Sequence, residues 1–519
     1  MTYRPHTILF SVCLLLSLSI SAQKSDNLPR SIPELEGVSS NSIVGFLDAI
    51  SKSKIEFHSF MFLRNGKVIA EGWWKPYKAD LRHTMYSVSK SFTSTAVGFA
   101  VSENRLSLSD KVISFFPDLL PDTVSSYLSD LTVKDLLTMS VGQAPDPTFE
   151  VLSRDSNWLK AFFKIPIVHQ PGSKFLYNTL ATYTLSAIIQ KVCGEKLIDY
   201  LRPRLFQPLR IENMDWESSP QDVNTGGWGL RVKTEDMAKF GQLYLQHGKW
   251  KGKQLIPAEW IGEATTIKID QAPDWINPDT KKDSSDWMQG YGYQFWRCRY
   301  NGFRADGAFG QYVIVLPDQD AVIAITAETG NMQEEINLVW RHLLPAMHSN
   351  KLPVDQKGAN HLKQRLSALS LDVPAKGNSL PPVKDIFNKS YTMQSNAKGM
   401  QMMSFMFGKD ECQLTLKTDT ATYQFRFGAD KWINATTTKP GPYLLSMAKA
   451  SMSGLPAFAV AGSFAWKDSN TVEFNLRYTE SPHTEKFICR FNQNELLVSM
   501  ESSIDFGTKP PVIKGVAKR

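Results

Sequence analysis

The sequence predicts an α+β domain followed by a second domain made of strands alone. Three observations predict it. A β-rich hairpin near residue 60 and a strand pair near residue 320 bracket a stretch of helical periodicity, the composition breaks between residues 350 and 382, and alternating apolar and polar segments follow to the end. At 519 residues the chain is long enough for two or three domains with cores of their own. Hydrophobic residues at 42% and charged residues at 21% are near the averages for globular proteins, which excludes disordered, collagen-like and disulfide-dense classes. The net charge of +7 comes from basic residues scattered along the chain. No basic arm points to nucleic acid.

At the N-terminus, Arg4 and His6 precede an apolar run over residues 8–20, and Ser21-Ala22 offers the small residues of a cleavage site. The pattern predicts a cleaved signal peptide over 1–22 and a secreted or periplasmic protein, because the run is shorter than the roughly 20 residues that cross a bilayer. No later segment is long and apolar enough to make a membrane span. Of the five cysteines, Cys13 falls in the leader. The other four are too sparse for a stapled scaffold and read as free thiols, with Cys412 and Cys489 the one pair worth considering. The nine histidines form no HExxH, and no CxxC pairs with histidines at zinc spacing. No metal and no cofactor is expected.

Residues 57–73 read as two strands joined by Asn65-Gly66, a dipeptide suited to a tight primed turn. From residue 87 to 101, Phe92, Ala96, Val97, Phe99 and Ala100 recur at helical spacing and predict a buried helix. Helical patterns follow at 133–139, 181–192 and 234–246, the last opened by Thr234 and Asp236 as an N-terminal cap. Residues 312–325 form a strand pair broken at Pro317-Asp318-Gln319-Asp320, and 334–348 reads as a closing helix. These elements make one domain over 23–350. Residues 351–381, rich in Lys, Pro, Gly, Asn and Ser, read as a linker with a short amphipathic piece at 361–371. Over 382–519, alternating segments such as 413–417, 422–427, 472–478 and 487–491 predict a β sandwich or small barrel.

Ser-x-x-Lys occurs five times, starting at Ser21, Ser51, Ser87, Ser395 and Ser446, so the motif by itself carries no information. Its setting singles out Ser87-Val88-Ser89-Lys90, which opens the apolar helix. Residues three apart share a helix face, so Lys90 would point at the Ser87 hydroxyl and hold or accept its proton, while the helix N-terminus favours developing negative charge.

Downstream, a colinear set of segments joins this one: Leu106-Ser-Leu-Ser-Asp-Lys-Val112, Leu131-Thr-Val-Lys-Asp-Leu-Leu-Thr-Met139, Pro171-Gly-Ser-Lys-Phe-Leu-Tyr-Asn178, Gly226-Gly-Trp-Gly229 and Gly307-Ala-Phe-Gly-Gln311 with the strand after it. With Tyr86-Ser-Val-Ser-Lys-Ser-Phe92, they resemble the serine β-lactamase, DD-peptidase and family VIII esterase superfamily, in the class C-like branch that also includes the 6-aminohexanoate dimer hydrolase. The resemblance implies a β-lactamase/transpeptidase-like antiparallel sheet with helices. It also implies that Ser87 is the nucleophile of an acyl-enzyme mechanism, Lys90 its proton partner and Tyr177 a second base. An ammonium beside the phenol would draw off its proton below the free pKa of about 10. The implied oxyanion hole joins the backbone N–H groups of Ser87 and Ala308, with Gly307 allowing close approach of the substrate.

Two departures bear on substrate. Tyr177-Asn178-Thr179 has Thr where the family's Tyr-x-Asn has Asn, so Asn178 or Thr179 would supply the hydrogen bonds. The family's Lys-Thr-Gly or His-x-Gly is replaced by Arg304-Ala305-Asp306-Gly307, which removes the cation that meets a substrate carboxylate. Arg304 would stand in for it from a neighbouring position or form a surface ion pair with Asp306, and Asp306 in the site would repel a carboxylate. Trp228, Tyr291, Tyr293 and Trp296 are expected in the lid and wall. The reading is a secreted serine hydrolase acting on a small-molecule ester or amide, or a peptide-like substrate, with no nucleic acid partner. The competing readings are a penicillin-binding D-aminopeptidase or β-lactamase, and a non-catalytic cell-envelope binding protein.

Overall fold

Asn65 and Gly66 both take positive φ, 50° and 72°, as a primed turn requires. They join strands Glu56–Arg64 and Lys67–Trp73, which edge a six-stranded antiparallel sheet. Inward from this hairpin lie Ala321–Glu328, Gln311–Leu316, Phe303–Gly307 and Trp296–Arg297, so chain segments far apart in sequence form one sheet. The computed structural model describes residues 27–271, 273, 276–377 and 388–518. The leader expected over 1–22 lies outside them.

Helices cover both faces of the sheet. Phe46, on helix Ser40–Lys52, meets Phe60 of the edge hairpin edge-on at 5.8 Å. On the opposite face, helix Thr234–Leu245 lies close because Gly241 sits over Val313 and Val322, where an added Cβ would come within 2.7 Å of each. The cap of this helix differs from the expected one. Lys233 is the cap residue and donates its N–H to Asp236 at 3.1 Å, while Thr234 starts the helix and bonds the Ser59 hydroxyl at 2.7 Å. Helix Ser89–Ser102 is buried almost throughout, which explains its nearly unbroken run of small and apolar residues.

The segment read as linker contains helix Gln356–Ser367, whose Leu362 is buried and whose Arg365 pairs with Asp48 at 2.7 Å. Beyond it, nine strands close into a barrel. Neighbouring strands are antiparallel except where Thr422–Ala429 meets Phe458–Trp466 in parallel, through Gly428–Ser463 and Ala429–Phe464. Strand Ile433–Thr437 pairs on the outside with Phe458–Trp466. Phe405, Phe427, Phe474 and Phe491 fill the interior with Cys412 and Cys489. Those two cysteines are free thiols, so the considered disulfide is absent. Among the described residues, no helix is long and apolar enough to cross a membrane.

Two pieces of the barrel domain reach back to the first domain. The turn after strand Thr471–Tyr478 places Glu480 against Arg82 and Arg231, and Ser481 against the Tyr77 hydroxyl. The long connection over 438–457 lays Tyr443, Leu445 and Ala448 into the first domain's core.

Candidate active site

Ser87 lies where the chain turns into helix Ser89–Ser102. The residue before it, Tyr86, takes φ +45°, rare for a non-glycine residue, and opens a 3₁₀ turn over Tyr86–Val88 that runs into the helix. One helical turn then brings Lys90 Nζ to 2.9 Å from Ser87 Oγ. Nζ also donates to the Gly227 carbonyl at 2.8 Å and to Thr179 Oγ1 at 3.2 Å. Gly227 can deliver that carbonyl because it is a glycine: an added Cβ would sit 2.7 Å from Thr179 Cγ2.

These three partners of Lys90 are neutral, and its side chain is only 2% exposed. Burial therefore pushes the ammonium down to about 7, against an upward pull from Asp146 and Asp306. A neutral amine has two N–H groups and one lone pair. In the neutral form Gly227 O and Thr179 Oγ1 can take the two N–H groups, which leaves the lone pair for the Ser87 hydroxyl.

Tyr177 hydrogen-bonds Ser87, and its ring centroid is 4.9 Å from Lys90 Nζ. Burial raises its pKa well above that of a free phenol. Burial thus lowers the ammonium and raises the phenol, against the expectation that the ammonium draws off the phenol's proton, and it favours Lys90 over Tyr177 as the group that gives up its proton first.

Thr179, not Asn178, faces this centre. The Asn178 side chain caps helix Thr179–Cys193, accepting from Ala181 N at 3.1 Å and donating to Gln143 Oε1 at 2.7 Å. Asn178 is fully buried in that role, and of the two residues only Thr179 lines the cleft. Gly307 also has a different use. Its Cα faces the Met85 carbonyl, where an added Cβ would come to 2.3 Å, so it lets strand Phe303–Gly307 approach the turn carrying Ser87. Ala308 follows that strand and lines the cleft with Ser87.

Arg304 and Asp306 form a buried ion pair at 2.8 Å, not the surface pair considered from the sequence. Arg304 is fully buried, bonds the carbonyls of Asp286 and Arg297, lies against Trp287 and Trp296, and lines neither lobe of the cleft. It does not replace the missing cation. Asp306 lines the cleft, and burial raises its carboxyl to about 6.

The cleft has two lobes that share Ser87, Tyr177 and Ala308. The larger, about 600 Å³, is walled by Phe149, Leu176, Trp228, Pro273, Leu444 and Leu445. The smaller, about 380 Å³, is walled by Ile276, Trp287, Trp296, Asp306, Asn331 and Gln333. Of the aromatics expected in the wall, Trp228 and Trp296 are there, while Tyr291 is buried behind Phe175 and Trp296, and Tyr293 against Trp260.

Sequence reasoning missed Asp146, Leu444 and Leu445 on the cleft wall and His483 behind Tyr86. It quoted Gly227 in a motif without seeing its contact with Lys90. No local pattern marks the others. Among the described residues, no cluster of His, Cys, Asp and Glu could hold a metal ion.

The family model described as Beta-lactamase matches residues 52–344, more than half of the chain. The 6-aminohexanoate-dimer hydrolase of Paenarthrobacter ureafaciens is 24% identical over 224 residues, covering 39% of this chain and 55% of the relative. A beta-lactamase of Escherichia coli K12 is 25% identical over 293 residues, covering 46% of this chain and 74% of the relative. The chain thus spans little more than half the length of the first of these relatives. A solved Bacillus anthracis protein, provisionally named 6-aminohexanoate-dimer hydrolase, superposes with a TM-score of 0.50 at 19% identity, over 63% of this chain and 89% of that one. That likeness is one of fold.

Proposed function

The chain belongs to the beta-lactamase family of serine hydrolases, and on that footing we propose that it cleaves an ester or amide through an acyl-Ser87 intermediate. The observation that carries this reading is the contact set of Ser87, Lys90 and Tyr177, with a lysine whose burial leaves it largely unprotonated above pH 7. It also favours a working enzyme over a non-catalytic binding module.

In the proposed reaction Ser87 Oγ attacks the carbonyl carbon while its proton passes to Lys90 Nζ. The oxyanion is held by the backbone N–H groups of Ser87 and Ala308, in a cleft where such donors are worth more than in water. When the bond to the leaving group breaks, the Tyr177 hydroxyl supplies its proton and is reprotonated from the Lys90 ammonium. Water then adds to the acyl carbon, giving a proton to Lys90, and as the bond to Oγ breaks the Lys90 ammonium returns that proton to Ser87, which leaves as the free hydroxyl.

The substrate we propose carries no carboxylate beside the scissile bond. Among the described residues that wall the two lobes there is no arginine or lysine, and Asp306 would repel such a group. This disfavours penicillins and D-alanyl peptides. Export is part of the proposal and rests on the leader pattern over 1–22; the N-terminal sequence of protein recovered outside the cytoplasm tests it.

The test of the reaction is the initial rate of p-nitrophenyl acetate hydrolysis by the protein and by Ser87→Ala. Loss of the rate in the variant supports the reading. Equal rates in both overturn it.

A further inference from the structure

The connection over 438–457 leaves the barrel and crosses to the mouth of the active-site cleft, where Leu444 and Leu445 stand in the wall of the larger lobe. It is held on both sides of those leucines. The Tyr443 hydroxyl donates to Glu217 Oε2 at 2.9 Å, and Met452 N donates to Glu217 Oε1 at 2.6 Å. Leu444 N donates to the Tyr86 hydroxyl at 3.3 Å, and Lys449 N to the Leu152 carbonyl at 3.2 Å. Glu217, which takes two of these bonds, is itself fully buried. The leucines are therefore fixed relative to Ser87, although they come from the other domain.

The lobes differ in chemistry. With the leucines stand Phe149, Leu176, Trp228 and Pro273, and among the described residues lining this lobe the one carboxyl, Asp146, is engaged by the Thr148 hydroxyl and N–H. The smaller lobe carries Asp306, Asn331 and Gln333. A departing alcohol or amine is polar and must be solvated as it leaves, which suits the smaller lobe. An unsolvated hydrocarbon chain suits the larger one, whose volume is typical of a small-molecule site.

We propose that the barrel is a specificity element: Leu444 and Leu445 wall an acyl pocket that selects esters or amides of apolar acyl groups longer than acetyl. This rests on the acyl-Ser87 reading above. Each methylene of the acyl chain that leaves water for the lobe raises kcat/KM by about two- to fourfold. The gain stops when the lobe is full.

The experiment is a series of p-nitrophenyl esters from acetate to octanoate, with the leaving group constant, run on the protein, Leu444→Trp and Leu444→Ala. Leu444 is only partly buried, and the ratio of octanoate to acetate kcat/KM within one protein does not depend on the fraction folded. The proposal expects a ratio above one in the parent, a fall of tenfold or more in Leu444→Trp, and a shift of the optimum to longer chains in Leu444→Ala. A ratio unchanged by both substitutions overturns it, as does a chain-length dependence that follows the alcohol in an alkyl ester series instead of the acyl group. Calorimetric binding of octanamide and acetamide to Ser87→Ala reads the pocket without chemistry. Tighter octanamide binding that Leu444→Trp abolishes, in a parent that hydrolyses no ester, would uphold the pocket while the hydrolase reading fails.

Discussion

Tyr86 Oη and His483 Nε2 stand 2.5 Å apart, so the residue immediately before Ser87 is tied to a histidine of the barrel domain. His483 Nδ1 in turn lies 2.7 Å from Glu328 Oε1, at the end of a central strand, and the Tyr86 ring stacks on Tyr443 at 5.4 Å. A left-handed tyrosine costs roughly 1–3 kcal/mol and persists only where its surroundings hold it. Here much of that hold comes from the second domain.

His483→Phe removes the hydrogen bond and leaves the ring. The expected result is a roughly tenfold fall in kcat with KM little changed, because small displacements of a nucleophile are expensive. His483→Gln, which can still bond the phenol, keeps more of the rate. Steady-state ester kinetics beside melting temperatures check both.

Activity should rise with pH through a midpoint near 7. Lys90 must be neutral to accept the proton of Ser87, and burial sets its pKa at about 7, so the active form is lost as pH falls below that value. Lys90→Arg keeps the charge but cannot deprotonate, and its rate should fall about 10²–10⁴-fold. The pH profile of kcat/KM is the measurement.

Glu217 links the same connection to stability. Burial raises its carboxyl from 4.5 to about 7, so the folded protein holds a proton that the unfolded chain releases between those values. The stability this gives is fully present below pH 4.5 and is lost as pH rises through 7, a change on the order of 3 kcal/mol. Urea unfolding at pH 4.5 and pH 8 should show a drop in the parent that is smaller by about that amount in Glu217→Gln.

Asp306→Ala leaves the fully buried Arg304 guanidinium without its carboxylate. Breaking a buried pair from one side costs about 3–5 kcal/mol. Denaturant midpoints should show it, whatever happens to activity.

The local parts of the site were legible in the sequence because local rules place them. The spacing of Ser87 and Lys90 meets across one helical turn, and Asn65-Gly66 marks the hairpin that edges the sheet. Tyr177-Asn178-Thr179 left two candidates open, since only the start of the next helix decides which side chain becomes its cap and which faces Lys90. Whether Lys90 holds or accepts the proton stayed open, because that depends on how deeply Lys90 is buried, which is a sum over residues from many elements. The bond from Leu444 N to the Tyr86 hydroxyl joins residues 358 apart, and that from Tyr86 to His483 joins residues 397 apart. No periodicity or motif encodes such contacts, so the barrel's share of the cleft emerges only from tertiary packing.

The central claim is a covalent one, and peptide mass spectrometry of the trapped acyl-enzyme tests it most directly. The protein is mixed with excess p-nitrophenyl butyrate, quenched in acid within the first turnovers, and digested. The account predicts a butyryl increment on the peptide that contains Ser87, absent from Ser87→Ala. Turnover with no acyl adduct on that peptide under any quench time, or an adduct that persists in Ser87→Ala, would contradict it.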